Sequence, residues 1–115
     1  MIELELPYPP TVNHYWQRNG RQTFVSSEGK RFRSLVKCIW LASGAPRVEG
    51  KVLMSVMVLH PDKRRRDLDN LLKAICDALE HSGAYEDDVQ LWGINIVRMG
   101  YETGGRISVK LEGTK

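Results

Sequence analysis

The nine residues KVLMSVMVL, Lys51 to Leu59, constrain the fold more than any other stretch. They are apolar on both faces and rich in β-branched side chains, the pattern of a central strand covered on two sides. An amphipathic helical stripe lies on each side of this run in the chain. Before it, Phe32, Leu35, Val36, Ile39 and Trp40 recur at helical spacing. That stripe starts after Ser26 or Ser27, either of which suits an N-cap, and Gly44 suits its C-terminal end. After the run, Leu68, Leu71, Leu72, Ile75, Ala78 and Leu79 form a second stripe that Gly83 ends. Asp69, Lys73, Asp77 and Glu80 share the opposite, polar face of that second helix.

The rest of the chain supplies strands. Ile2, Leu4 and Leu6 alternate with Glu3 and Glu5 until Pro7, Pro9 and Pro10 remove backbone donors. TVNHYWQRNGRQ then reads as a loop with Asn-Gly turn chemistry, and TFV at 23–25 could add a short strand. Val89 to Met99 and Arg106 to Leu111 read as strands joined through GYETGG, a hairpin with Gly-Gly at its turn. The order β-α-β-α-β-β predicts an α/β (mixed α+β) fold, a mixed four-stranded sheet with two main helices packed on it. A chain of 115 residues suits a single domain, here read as 1–115. With 42% hydrophobic and 27% charged residues it has the composition of a folded protein, not a disordered one.

No apolar run approaches the roughly 20 residues of a membrane span, and MIELELPYPP has neither the basic nor the apolar region of a signal peptide. Cys38 and Cys76 lack metal-ligand spacing and read as reduced packing residues. Together these point to a cytoplasmic protein without a membrane partner. The net charge of +3 hints only mildly at polyanions, and its distribution says more. Cations gather at 18–21, 30–33 and 63–66, acids at 67–69 and 86–88.

The sharpest juxtaposition is HPDKRRRDLDN, where Lys63, Arg64, Arg65 and Arg66 run directly into Asp67 and Asp69 at a helix start. An Asp there commonly caps the helix and complements its dipole. Two acids exceed what one cap requires, and capping needs no cations. A hard divalent cation accepts carboxylate oxygens at about 2.1 Å together with phosphate and water. The cationic strip would then hold a phosphodiester beside it. Lys73, four residues after Asp69, suits either an i, i+4 ion pair or a phosphate-facing ammonium.

Glu86 to Asp88 form the next acidic group, readable as a solvated turn or as further ligands. Distance tests the second reading. A helix from Asn70 to Ser82 is about 20 Å long at ~1.5 Å per residue, and Gly83 to Asp87 reach at most about 17 Å. Asp87 therefore meets Asp69 only if the helix is short, bent or broken, if the loop doubles back tightly, or if a second subunit completes the site.

PDKRRRDLDNLLKAICDAL followed by YEDDVQ, with the N-terminal PYPPTVNHYW, resembles the RusA family of Holliday junction resolvases, small endonucleases often encoded by phages and prophages. The resemblance runs from about Leu6 to Met99 and through the final strands. It implies a homodimeric, Mg²⁺- or Mn²⁺-dependent endodeoxyribonuclease selective for four-way DNA junctions. The family's catalytic and metal-binding acids fall on Asp67, Asp69 and Asp87, its essential lysine on Lys73, and a further acid on Asp88. The N-terminal loop aligns through Pro9, Pro10, Asn13 and Tyr15. DNA contacts are expected from Lys63, Arg64, Arg65 and Arg66, and from Asn13 and Tyr15, while Trp16 more simply pins the loop to the core.

Two other functions fit the residues. In a non-catalytic junction or duplex binder the carboxylates would only cap the helix and temper the basic loop. A hydrolase of small phosphorylated molecules is disfavoured by the absence of a Gly-rich phosphate loop and by cations spread for an extended anion.

Overall fold

The structure, a computed structural model, describes residues 1–114. Its elements are β1 (Ile2–Pro7), a four-residue helical turn α1 (Val12–Tyr15), β2 (Trp16–Asn19), β3 (Gln22–Val25), α2 (Ser27–Ser43), β4 (Lys51–His60), α3 (Leu68–Ser82), a 3₁₀ turn (Asp88–Gln90), β5 (Leu91–Tyr101) and β6 (Arg106–Thr114). β1, β6, β4 and β5 form a four-stranded sheet in that spatial order. β6 runs antiparallel to both β1 and β4, and β5 runs parallel to β4, so the sheet is mixed. The anticipated β-α-β-α-β-β order holds for these six elements. The possible short strand at 23–25 is present as β3, and β2 is an addition; the two pair only with each other as a separate two-stranded ribbon. No helix among the described residues is long and apolar enough to cross a membrane.

The helices end where their sequences stop them. Ser26 caps α2 by accepting from the Gly29 N–H at 3.0 Å, and Gly44 closes it in the left-handed region at φ 68°. Gly83 closes α3 in the same way at φ 94°. Phe32, Val36 and Trp40 of α2 and Leu71, Ala74, Ile75, Ala78 and Leu79 of α3 are buried against Leu4, Leu6, Val52, Met54, Val56, Val58, Ile107, Val109 and Leu111 of the sheet. Each fully buried Leu, Ile or Val in this layer is worth roughly 1.5–3 kcal/mol.

Three expectations are corrected. β4 does not have both faces covered: Val52, Met54, Val56, Val58 and His60 are buried while the intervening residues face outward, Leu53 being 42% exposed. Both helices pack on one side, and β4 owes its central place to strand neighbours on each edge. Nor do β5 and β6 form a hairpin. The link between them crosses the end of β4, where the Glu102 N–H donates to the His60 carbonyl at 2.8 Å, and Gly104 and Gly105 turn with positive φ. β6 then slots between β1 and β4. That position buries its alternating Ile107, Val109 and Leu111 and uses both of its hydrogen-bonding edges. Cys38, expected to pack inside, is exposed and Cys76 is half-buried; both are free thiols.

Gly29 shows how tightly the N-terminal segment sits on α2. A Cβ there would lie 2.7 Å from Val25 Cγ1 and would collide with the Tyr15 carbonyl oxygen. That oxygen cannot withdraw, because both the N–H and the hydroxyl of Ser26 donate to it, at 2.9 and 3.0 Å. Gly29→Ala is therefore expected to cost about 1–3 kcal/mol of stability, read as a lower denaturation midpoint.

Candidate active site

α3 is the spine of the site. Its buried stripe fixes which way the remaining side chains point, so Asp69, Lys73, Asp77 and Glu80 line a groove of about 540 Å³. Leu72 and Cys76 of the same helix, Leu91 and Ile94 of β5, Trp16 and Asp88 complete it. The groove thus has an apolar floor, an acid at the start of α3, acids near its end, and Lys73 between them. Burial pushes the Cys76 thiol up to about 11, so it adds an uncharged patch to the wall.

The first pair of acids gives the helix no side-chain cap. Asp67 has N-cap backbone geometry, with φ −91° and ψ 133°, but its carboxylate makes no capping hydrogen bond. No ion pair joins Asp69 to Lys73 among the described residues. Asp67 and Asp69 look into different hollows: Asp69 into the groove, Asp67 into a smaller one shared with Thr11, Asn13, Arg65, Arg66, Asn70 and Leu71. Asn13 is thereby placed with Asp67 and the basic loop.

That loop is internally braced. Asp62 accepts from the Arg64 N–H at 2.9 Å and from Arg66 Nη1 at 2.7 Å, which holds its carboxyl down at about 2. Arg66 is largely covered, lies over the Tyr8 ring and accepts at its carbonyl from Arg98 Nη2. Arg66 therefore anchors the loop, whereas Lys63, Arg64 and Arg65 are exposed.

The second acidic group is assembled by the loop after α3. The chain does double back: the buried Tyr85 donates its hydroxyl to the Cys76 carbonyl at 2.7 Å, and the Ala84 N–H donates to Leu79. It returns only as far as the last turns of the helix. There Glu80, Asp87 and Asp88 place carboxylate oxygens within 4.8 Å of one another, the one group of three potential metal ligands among the described residues. The Asp88 N–H donates to Glu80 Oε1 at 2.8 Å. The hydrogen bond with Asp87 raises the Asp88 carboxyl, while the Val89 N–H and Asp88 lower that of Asp87.

Gln90 sets the shape of this loop. Its Oε1 accepts from the N–H groups of Glu86 and Asp87 at 2.8 and 3.1 Å, and its Nε2 donates to the Val48 and Gly50 carbonyls at 3.2 and 2.8 Å. With Asp87 accepting from the Val89 N–H, this forms a capping box.

Asp87, Asp67 and Asp69 are thus not gathered within one protomer. From Asp69 to Glu80 the helix rises about 16 Å. Glu80 itself was missed as a candidate ligand, although its place on the polar face with Asp69, Lys73 and Asp77 was legible. Asp77 is committed elsewhere, accepting from Arg33 Nε at 2.8 Å and from the Tyr15 hydroxyl. Tyr15, expected at the DNA surface, is fully buried against Trp16 and Phe32. It has no face to offer a base, and its role is to fasten the N-terminal segment to α2 and α3. Trp16 packs on the core as anticipated, and also lines the groove.

Residues 7–112 match the family model described as endodeoxyribonuclease RusA. The chain is 39% identical over 107 residues to the crossover junction endodeoxyribonuclease rusA of Enterobacteria phage HK97, covering 92% of this chain and 89% of that protein. It is 37% identical over 112 residues to crossover junction endodeoxyribonuclease RusA of Escherichia coli K12, covering 94% and 91%. The protein of the same name from Enterobacteria phage 82 is 36% identical over 112 residues, with the same coverage.

Proposed function

The chain belongs to the RusA family of endodeoxyribonucleases, and from that premise we propose that it is a homodimeric, divalent-metal-dependent enzyme that resolves four-way DNA junctions by paired phosphodiester hydrolysis. The observation that carries the reading is the groove along α3, with acids at both ends, Lys73 between them, and a basic loop at one end. The match across 7–112 supports one endonuclease domain spanning the chain. Acting on DNA, it would work in the cytoplasm.

A two-fold axis across the groove reverses its direction, so that the start of α3 in one protomer meets the end of α3 in the other. Asp67 and Asp69 would then share a site with the partner's Asp87, supported by the partner's Glu80 and the partner's Asp88. The half-buried Leu72 and Leu91 and the exposed Ile94 along the floor give the two copies apolar surface to cover. Hard carboxylate oxygens alone, without histidine or thiolate, suit Mg²⁺ or Mn²⁺. Held by these carboxylates, such an ion would supply an acidified water and neutralise charge on the phosphate. Lys73 would stabilise the charge that develops on the phosphoryl oxygens. Lys63, Arg64 and Arg65 would hold the strand by its phosphates, Arg66 would keep their loop in register with Asp67, and Asn13 would approach the strand beside them.

The test is incubation with a labelled immobile four-way junction and a matched linear duplex, with and without Mg²⁺. Symmetric nicks confined to the junction, and only with the metal, are expected; metal-independent cutting or equal cutting of duplex would overturn the reading. A second expectation concerns Gln90. Gln90→Ala frees the backbone of Glu86 and Asp87, and is expected to weaken divalent-cation binding about 10–100-fold, as loss of a ligand's supporting contacts commonly does. Titration of cleavage against Mg²⁺ concentration measures it.

A further inference from the structure

Gln17 to Phe24 form an exposed stretch of eight residues, the outer part of the β2–β3 ribbon. The ribbon contributes nothing to the core beyond its base at Trp16 and Val25, and a lone two-stranded ribbon is marginal in water. Its composition is one-sided: WQRNGRQTFV has two arginines, two glutamines, an asparagine and a threonine, and no acid. Arg18 and Arg21 enter no ion pair among the described residues. Glu28 lines a hollow with Arg18 and Thr23 and enters no ion pair among the described residues. Phe24 remains 43% exposed.

Register fixes which way the ribbon faces. Trp16 pairs with Val25 and Arg18 with Thr23, so Arg18 projects on the same face as Trp16, the residue that lines the α3 groove beside Asp69 and Lys73. The ribbon therefore rises from the rim of the candidate active site and presents cations outward from it. Four residues per strand extend about 13 Å at ~3.3 Å each. At its root it is held rigidly, since Tyr15 is buried and bonded to Asp77 while Ser26 donates to the Tyr15 carbonyl. The left-handed Gly20, at φ 64°, keeps its tip tight.

We infer that the β2–β3 ribbon is a second DNA-binding element, lying in the major groove of the junction arm next to the cut strand, with Arg18 and Arg21 on its phosphates. This deepens the reading of the chain as a junction resolvase and rests on it. A two-stranded ribbon fits the major groove, about 12 Å wide. The exposed amides of Gln17, Asn19 and Gln22 bring donors and acceptors to the base edges. Such a grip would fix the arm relative to the catalytic groove, whereas the 63–65 loop holds only the strand being cut.

The test measures junction binding by fluorescence anisotropy without divalent cation across a salt series, for wild type, R18Q/R21Q and R18K/R21K. All substitutions lie at exposed positions, and unchanged thermal unfolding checks the fold. Wild type is expected to show a slope of log affinity against log salt steeper than R18Q/R21Q by about 3.6, because the two protomers together lose four phosphate contacts and each contributes roughly 0.9. R18K/R21K, which keeps both charges, is expected to retain the wild-type slope. Dimethyl sulfate probing is expected to show guanine N7 atoms in the arms protected by wild type and reactive with R18Q/R21Q. Equal slopes for wild type and R18Q/R21Q, or unprotected N7 atoms with wild type, overturn the ribbon's role. If wild type nevertheless nicks junctions with Mg²⁺, the reading of the active site stands. A wild type that fails to bind junctions overturns both.

Discussion

Asp69→Asn is expected to lower the single-turnover rate of junction cleavage about 10³-fold or more, with the dissociation constant for the junction unchanged or smaller. The side chain faces the groove, is exposed, and forms no ion pair with Lys73. Its removal therefore takes away no packing, and the helix loses only a first-turn charge worth about 0.3–1 kcal/mol. Unfolding cannot account for a loss of that size. An acid that merely balanced the basic loop would behave oppositely: neutralising it would tighten binding and leave turnover alone. Metal-dependent cleavage and metal-free binding, measured on the same preparation, separate the two. A variant that cuts as fast as wild type would remove Asp69 from the chemistry and revive the binding-only reading. Asp67→Asn is the companion variant, because Asp67 has the backbone position of a cap without the capping hydrogen bond.

What could be read from the sequence divides along the range of the interactions that decide it. The helices were legible because local signals agree. Ser26, Gly44 and Gly83 mark ends, and the stripes Phe32–Trp40 and Leu68–Leu79 repeat at helical spacing. Strand order was not, since a run such as Arg106–Leu111 has the same alternation beside β5 as between β1 and β4. Only the competition for buried edges, settled by the whole sheet, inserts β6 at the centre. Of the ribbon, only TFV at 23–25 was read as a possible strand, which β3 bears out; β2 was read as loop because its four residues have no apolar face. The acids divide similarly. Asp67, Asp69 and Asp87 were named through motif and charge, yet the company of Asp87 was not, because Glu80 joins it only through the turn that Tyr85 and Gln90 impose. Tyr15 misled for a related reason. An aromatic in a proline-rich loop reads as exposed until Asp77 and Arg33, far away in sequence, are seen to bond its hydroxyl.

The separation of Asp69 from Asp87 along α3 makes one outcome decisive. Take a heterodimer, isolated through two different affinity tags, with Asp69→Asn in one protomer and Asp87→Asn in the other. Each homodimer of either variant lacks one acid at both sites and is expected to be inactive, by the same loss as above. In the heterodimer the arithmetic depends on which chain supplies which acid. If each site draws Asp69 from one protomer and Asp87 from its partner, both substitutions fall in the same site and the other site is intact. Nicking then returns to about half the wild-type rate, since one of two equivalent sites survives. The products change as well: junctions carry a single nick instead of symmetric paired cuts, because the opposite strand meets a dead site. If each protomer instead built its own site, both would carry one defect and the heterodimer would stay as inactive as its parents. Recovery from almost nothing to half activity is a change of several hundredfold, far beyond any effect of subunit exchange on stability. Joined to the observation that the acidic loop reaches back only to Glu80, recovery would mean that two copies of a small domain must meet before either can cut. Hydrolysis would then be confined to the assembled pair, the form whose symmetry matches that of a four-way junction.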